Sequence, residues 1–300
     1  MNNNLYVDIN VLQTVPSSNI NRDDTGAPKT ALYGGVMRSR VSSQSWKRAV
    51  RQMFKQESNG AEWLESSRTL KAPELLAHEI QAIKPELDDG EAMKQSLALF
   101  QTLKIKLDKK TNTTKALLML SKGQLKKLAQ YIVDNGTDNL DKKALKPIVL
   151  GDQSLDLALF GRMVADDPSL NVDASCQVAH AISTHEVATE FDYYTAVDDA
   201  KAEDQAGSAM IGTIEYNSST LYRYANVNVN ELAHNIGNDL AVKGLGVFIK
   251  DFIMSMPTGK ENTFANKTVP QYVMVTVRKD TPVNLVSAFE EPVRAQDGYV

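Results

Sequence analysis

Cysteine is nearly absent from this 300-residue chain, which contains only Cys176. A single cysteine excludes an internal disulfide and suits a reducing compartment. Long apolar runs are missing too, since no stretch approaches the roughly 18 apolar residues of a membrane span. The N-terminus, MNNNLYVDINV, has neither the basic nor the apolar region of a secretory signal. We therefore expect a cytoplasmic protein that does not enter a membrane.

Histidine is scarce as well, with four residues, and no serine or cysteine nucleophile motif accompanies them. The combination most suggestive of a metal site is Cys176, His180 and His185, but its spacing matches no zinc signature well. On a strand, Cys176 and His180 would share a face and His185 would point the other way. The sequence therefore predicts no catalytic histidine, no metal site and no cofactor.

Positive charge is concentrated in one segment of an otherwise acidic chain of formal charge −4. Residues 29–55 contain seven basic residues and no acid, and without these seven the 33 basic residues fall to 26 against 37 acidic ones. The seven are Lys29, Arg38, Arg40, Lys47, Arg48, Arg51 and Lys55. Such a segment is typical of an anion-binding surface, often for nucleic acid, although charge alone fits a solvated helix face equally well.

The second half of this segment has the pattern of an amphipathic helix. Trp46, Ala49, Val50, Met53 and Phe54 follow helical spacing from residue 43 onward. The two residues at the start of this pattern, 42 and 43, are serines, which suit an N-cap. The basic residues at 47, 51 and 55 recur every four positions and so form one cationic stripe. We expect this stripe and the helix start to hold phosphates.

Just upstream, Gly34-Gly35 allows a tight turn, and residues 36–41 alternate as in a strand. Arg38 and Arg40 therefore lie on one face, and their guanidinium groups suit phosphate oxygens.

The order of elements predicts an α+β fold. Strands are predicted at about 5–11, 36–41, 176–184, 220–229 and 272–277, a loop at 14–30, and helices at 43–55 and 233–256. Residues 57–150 are rich in Ala, Leu, Lys and Glu and are predicted to form several inserted helices. With this insertion set aside, the order is that of a split βαβ, ferredoxin-like fold, which is common in RNA-recognition modules.

Several motifs, in order along most of the chain, resemble the backbone subunit of the type I-E CRISPR Cascade surveillance complex, the CasC family. They lie at 21–24, Lys29, 33–35 and 40–48, at 159–163 and 179–185, and at 194–199, 207–212 and 221–226. Residues 57–150 carry little of the resemblance. Family members continue past the position of Val300, so a C-terminal helical portion is expected to be missing.

The resemblance implies a ferredoxin-like, RRM-like palm with inserted helical fingers and a β-hairpin thumb. The palm is expected at residues 1–56 and 151–300, the fingers at 57–150, and the thumb at about 192–216 with a polar tip at Asp198–Gly207. From the residues alone, an ordinary surface hairpin is as good an interpretation of 192–216. In relatives, positions matching Met163, Thr195 and Ile211 displace a guide nucleotide at regular intervals.

The resemblance also implies a non-catalytic protein that binds the CRISPR guide RNA. Copies would assemble head to tail along the guide with other Cascade subunits and present its bases to target DNA. The RNA-binding residues expected are Arg22, Lys29, Arg38, Arg40, Ser42, Ser43, Gln44, Lys47, Arg48, Arg51 and Arg162. Arg223 lies between Tyr222 and Tyr224, where base stacking and packing, in the core or between subunits, are equally good interpretations.

Two alternatives stay open at this point. Asp23 or Asp24 would serve a guide-directed, metal-dependent ribonuclease, as an aspartate in a comparable loop does in the related type III effectors. Their other role would be to orient Arg22 and fix the loop, which we favour because the motifs resemble type I-E. A third interpretation is a single-stranded RNA-binding protein outside any CRISPR system.

Overall fold

The computed structural model describes residues 4–57, 61–64, 66–196 and 210–296. The chain forms two compact units. The first takes in Arg51–Gln177 and Val227–Phe248 together with the chain up to Leu5. The second takes in Tyr6–Val50, Val178–Asn226 and the chain from Ile249 onward.

The strands are β1 (Tyr6–Ser18), β2 (Thr30–Tyr33), β3 (Val36–Val41), β4 (Ser66–Thr69), β5 (Leu107–Asp108), β6 (Thr113–Thr114), β7 (Leu118–Ser121), β8 (Cys176–Val178), β9 (Ala181–Ser183), β10 (Glu190–Ala196), β11 (Met210–Asn228) and β12 (Tyr272–Arg278). The helices are α1 (Ser43–Glu57), α2 (Ala72–Ile83), α3 (Asp89–Thr102), α4 (Lys122–Asn135), α5 (Lys142–Leu150), α6 (Leu155–Phe160), α7 (Val229–Ile236), α8 (Asn238–Met254) and α9 (Glu261–Phe264). Within the described ranges, no helix is long and apolar enough to cross a membrane.

An antiparallel sheet dominates the second unit, in the order β12-β1-β11-β9-β3-β2. β1 pairs with β12 over seven positions, from Tyr6↔Arg278 to Leu12↔Tyr272. β10 runs back along the first half of β11 as a hairpin arm. The order of the four strands β12, β1, β11 and β9 agrees with the split βαβ order that the sequence predicts. The division into palm, fingers and thumb stays a prediction.

The core of the second unit packs α1 against this sheet. Trp46, the predicted first apolar residue of the helix, is buried with Val15, Val41, Ala181 and Leu221. Burying an indole of this size removes a large apolar area from water, which favours the folded state by roughly 2–3 kcal/mol. The start of α1 is therefore fixed against the sheet that carries the basic hairpin β2–β3.

The first unit is largely helical and has its own leucine-rich core. α2, α3 and α4 contribute most of this core, including Leu76, Phe100 and Leu128, none of which is exposed. Ser121 caps α4 through a capping box with Gln124. The expectation of several helices within 57–150 is confirmed, and two short two-stranded antiparallel sheets, β4–β7 and β5–β6, lie among them.

Several boundaries differ from the sequence prediction. The strand predicted over 176–184 is two strands, β8 and β9, and the strand predicted over 220–229 is the second part of the longer β11. β1 continues to Ser18, whereas the sequence predicts a loop from Thr14. The strand is extended because Val15 is buried in the core and because Thr14 forms hydrogen bonds with Gln271 on one side and Thr220 on the other. The single helix predicted over 233–256 is two helices, α7 and α8, separated at Gly237, whose φ is +83°. A left-handed glycine after the last turn ends α7 at low cost.

Candidate nucleic-acid interface

Lys29 and Arg40 lie side by side where β2 begins opposite β3. The backbone N–H of Arg40 donates to the carbonyl of Lys29 at 2.8 Å. The Arg40 guanidinium is held by two further bonds, from Nε to the Thr30 carbonyl at 2.9 Å and from Nη1 to Nδ1 of His180 at 3.2 Å. Since arginine is always the donor, His180 accepts at Nδ1 and carries its proton on Nε2. This arrangement fixes the guanidinium in place, and among the described residues its Nη2 has no partner, so that nitrogen can bind an anion.

His180 itself is tuned by the same neighbours. Burial lowers the pKa of His180 below its usual value, and the charges of Arg40 and Lys29 lower this pKa further. The ring is therefore neutral at pH 7, which is the state that accepts the Arg40 hydrogen bond.

Lys29 and Arg40 line a small, solvent-open cleft in the second unit. The cleft is walled by Ser18, Ile20, Asn21, Pro28, Lys29, Ser39, Arg40, Val41, Asn217 and Ser219. Apart from the apolar Ile20, Pro28 and Val41, all of these side chains are polar and the two charged ones are cations. Such a lining suits an anion with hydrogen-bonding neighbours, as a nucleic acid backbone provides.

The loop at 19–29 is fixed to the start of α1. Asn21 Oδ1 accepts from the backbone N–H of Ser42 at 2.8 Å, and Ser42 Oγ accepts from the Ser45 N–H at 3.4 Å. Ser42 is thus the N-cap, as expected from the sequence. It is buried with its hydroxyl on the helix, so its predicted role as an RNA contact is replaced by positioning.

Beyond this cap, the helix start presents polar and basic side chains. Ser43 donates to Gln44 Oε1 at 3.5 Å, which leaves the Gln44 amide nitrogen as a donor. Arg48 is exposed, and Lys47 is half-buried. Arg22 is exposed in the loop, where its backbone bridges to that of Pro28. These residues, with Lys29 and Arg40, form what we call the basic face.

Asp23 works within the loop. Its Oδ1 accepts from the Thr25 hydroxyl at 2.7 Å and from the backbone N–H groups of Thr25 and Ala27 at 2.9 and 3.1 Å. The Thr25 hydroxyl bond is the main reason that the pKa of Asp23 is lowered. Asp23 therefore holds the turn that carries Arg22. In the described part of the chain, no three acidic, histidine or cysteine side chains are grouped to hold a metal ion.

The prediction that Arg38 binds RNA is wrong, because its side chain is not exposed at all. Nε donates to the Tyr33 carbonyl at 3.1 Å, Nη1 to Ser183 at 3.0 Å, and Nη2 to Phe289 at 2.9 Å and Glu290 at 3.2 Å. Burial lowers the pKa of Arg38. The alternation of β3 predicts this side chain on the face of Arg40, but the segment that carries Phe289 and Glu290 covers it.

The prediction for Arg162 is also wrong. Arg162 is 5% exposed, and its three nitrogens donate to the carbonyls of Leu170, Met119 and Val149 at 2.9–3.1 Å. Burial lowers the pKa of Arg162 to about 10. This arginine joins β7, α5 and the 3-10 turn at Leu170 within the first unit, so its guanidinium is occupied inside the protein.

Arg51 was predicted as part of the cationic stripe, but it forms an internal ion pair. Its Nε lies 2.8 Å from Asp156 Oδ2, and its Nη2 donates to the Ser66 carbonyl at 3.1 Å. Asp156 is fully buried and also accepts from the hydroxyls of Ser66 and Ser154. The Arg51 charge is thereby balanced inside the first unit, so Arg51 is not part of the basic face.

Arg223 and its neighbouring tyrosines belong to the core. Arg223 is 1% exposed and stacks over the ring of Trp46 at 3.8 Å. The hydroxyls of Tyr222 and Tyr224 donate to Asn10 and Asp8 at 2.7 and 2.8 Å. Of the two interpretations that the sequence left open, packing is therefore the right one.

A hairpin is present where the thumb is predicted, formed by β10 and the start of β11, and its role as a thumb stays a prediction. Thr195 and Ile211 are direct partners across this hairpin, and Ile211 is 61% exposed. Met163, in the first unit, is 80% exposed. The predicted tip, Asp198–Gly207, lies outside the described residues.

The three residues considered for a metal have other bonds. Cys176 is buried and its Sγ contacts the Gln177 carbonyl at 3.6 Å. His185 accepts at Nε2 from the Thr220 N–H at 3.0 Å, and His180 accepts from Arg40. Each histidine therefore has a structural partner of its own.

Sequence reasoning missed Asn217, Ser219 and His180 as parts of the cleft and its rim. The run Asn217-Ser218-Ser219-Thr220 has the composition of a turn, yet it lies within β11. The polar residues at 217 and 219 could have indicated this site, because residues two apart share one face of a strand.

Residues 7–300 match a family described as CT1975-like protein. Among curated proteins, none matches the chain significantly. A solved chain described as belonging to a "CRISPR RNA-guided surveillance complex, pre-nicking" is 34% identical with a TM-score of 0.86, covering 98% of this chain and 84% of that one. Another, described as "CRISPR RNA-guided surveillance complex", is 32% identical with a TM-score of 0.60, covering 98% and 77%.

Proposed function

Because the chain belongs to the CT1975-like protein family, we propose that it is a backbone subunit of a CRISPR RNA-guided surveillance complex of type I-E. It binds the guide RNA without cutting it, and copies assemble head to tail along the guide with other Cascade subunits in the cytoplasm. The bases stay free to pair with target DNA.

The observation that carries this proposal is that two cations, Lys29 and Arg40, lie next to each other at the rim of the polar cleft. Arg40 is fixed by Thr30 and His180, so its guanidinium is pre-organised for a phosphate. Arg22, Ser43, Gln44, Lys47 and Arg48 extend the same basic face along the loop and the start of α1. Contacts of this kind read the backbone and accept any guide sequence, as a guide-binding subunit requires.

We place the palm in the sheet of the second unit, the fingers in the helices α2–α5, and the thumb in the hairpin of β10 and β11. In this proposal, Thr195 and Ile211 insert beside a guide nucleotide that is displaced at regular intervals. Met163 is a further apolar contact with the guide. Displacing a base costs a few kcal/mol, which exposed apolar side chains inserted into the stack can offset.

Sequencing the RNA that co-purifies with the protein tests this function. We expect RNA of one length with repeat-derived ends, bound less tightly as salt rises. RNA of mixed length without repeat ends would instead support a general single-stranded RNA-binding protein. Regular cleavage of a complementary RNA in Mg²⁺ or Mn²⁺ would support a ribonuclease.

A further inference from the structure

Asn217 lines the cleft and has a buried amide nitrogen without a hydrogen-bond partner in the described part of the chain. The residue is 3% exposed, its Oδ1 accepts from the Ser39 hydroxyl at 3.2 Å, and its Nδ2 has no hydrogen-bond partner among the described residues. A buried polar group without a partner is costly, so native proteins rarely leave one unless a ligand or water completes it. Asn217 lines the cleft, where a bound molecule can supply this bond.

Ser219 lies beside this amide, since residues two apart in a strand share one face. It lines the same cleft and is 5% exposed. A serine hydroxyl both donates and accepts, whereas the free amide end of Asn217 has one role. Together they offer one donor and one acceptor to a single small group.

A hydroxyl is the group that matches this pair, because it accepts one hydrogen bond while donating another. The match holds for either orientation of the Asn217 amide, because a hydroxyl can fill either role. A phosphate oxygen accepts only, and Lys29 and Arg40 at the rim already serve it. A ribose carries its 2′-hydroxyl next to the phosphate of the same strand, so both can be bound in one cleft.

We propose that Asn217 and Ser219 recognise a ribose 2′-hydroxyl and so make the cleft selective for RNA over DNA. This inference rests on the proposed function, because it assigns the sugar of the strand whose phosphates the basic face binds. Lys29 and Arg40 supply affinity for either nucleic acid, and the two β11 residues supply the discrimination.

The test compares binding of one single-stranded sequence as RNA and as its 2′-fluoro counterpart, which keeps the RNA-like sugar conformation but lacks the hydroxyl. For the full wild-type chain we expect the 2′-fluoro strand to bind about tenfold more weakly, as the absence of one or two neutral hydrogen bonds implies. Ser219→Ala should reduce this preference severalfold, and Asn217→Leu, which keeps a similar volume, should nearly abolish it.

Two controls separate this inference from the function on which it rests. Ser218→Ala changes the same residue type on the opposite face of β11 and should leave the preference intact. Lys29→Gln should weaken both strands alike. Equal binding of both strands by wild type, or a preference that survives in both the Asn217 and the Ser219 variants, overturns the hydroxyl assignment while RNA binding stands. Failure of wild type to bind either strand overturns the proposed function itself.

Discussion

Nε of Arg51 lies 2.8 Å from Oδ2 of Asp156, which is fully buried. Removing Arg51 would leave that carboxylate without its cation, and breaking a buried pair from one side typically costs about 3 kcal/mol. We therefore expect Arg51→Ala to lower the free energy of unfolding by about this amount, measured by denaturant titration. Arg48→Ala, which removes an exposed arginine one turn away, should change it by less than about 0.5 kcal/mol. Equal effects of the two changes would contradict the internal role of Arg51.

The basic face should be measurable through salt. Removing one phosphate-binding cation lowers the slope of log affinity against log salt by about 0.7 for a single strand, so Lys29→Gln with Arg40→Gln should lower it by about 1.4. The weakening should not depend on RNA sequence. Lys279→Gln, an exposed cation that follows the opposite edge strand β12, is the matched control and should leave the slope unchanged. An unaltered slope in the double variant would rule out this face.

Asp23 and Asp24 should have no part in cleavage. With a complementary RNA and Mg²⁺ or Mn²⁺, we expect no products from wild type and none from Asp23→Ala with Asp24→Ala. Because Asp23 fixes the turn through Thr25 and Ala27, the double variant should instead bind RNA more weakly at Arg22. Metal-dependent products at regular spacing that disappear in the variant would establish a ribonuclease.

The hairpin arms make a prediction about the shape of the bound guide. Chemical probing of guide RNA in the assembled complex should reveal hyper-reactive nucleotides at regular intervals, where bases are displaced. Ile211→Ser should weaken this periodicity because the exposed apolar side chain is removed. Phe191 is exposed as well, but it lies on β10 and nearer the sheet. Phe191→Ser is therefore the control variant for Ile211→Ser. Uniform protection of the guide by wild type would exclude insertion by the hairpin.

His180 predicts a pH dependence of the free protein. Because the pKa of His180 in the folded state is below its ordinary value of 6.5, the unfolded chain takes up the proton first as pH falls. The contribution of His180 to stability is therefore present above pH 6.5 and declines as pH falls below it. Denaturant midpoints at pH 7.5 and 5.5 should differ more for wild type than for His180→Gln, whose amide oxygen can still accept from Arg40. If the two midpoints differ by the same amount in wild type and in His180→Gln, His180 is not the cause of the pH dependence.

The sequence predicted those features that depend on local pattern. The helix at α1 and the strand β3 appear where periodicity placed them, and the family resemblance is confirmed as far as a Cascade backbone subunit. Two cations of the basic segment, Lys29 and Arg40, also lie next to each other in the structure. Which cations reach solvent was not predictable, since Arg38, Arg51 and exposed Arg48 look alike in a sequence. Arg51 and Arg38 are taken up by Asp156 and Phe289 respectively, and each of these partners is more than 100 residues away along the chain.

Arg38 has a consequence for the timing of synthesis. The Arg38 guanidinium donates to the carbonyls of Tyr33, Ser183, Phe289 and Glu290. Tyr33 is synthesised before Arg38, whereas the other three acceptors are synthesised much later. Until residues 289 and 290 have emerged, Arg38 remains an open cation two residues from Arg40. In a growing chain we therefore expect Arg38 to be enclosed only after Phe289 and Glu290 have been made, since their carbonyls complete its hydrogen bonds.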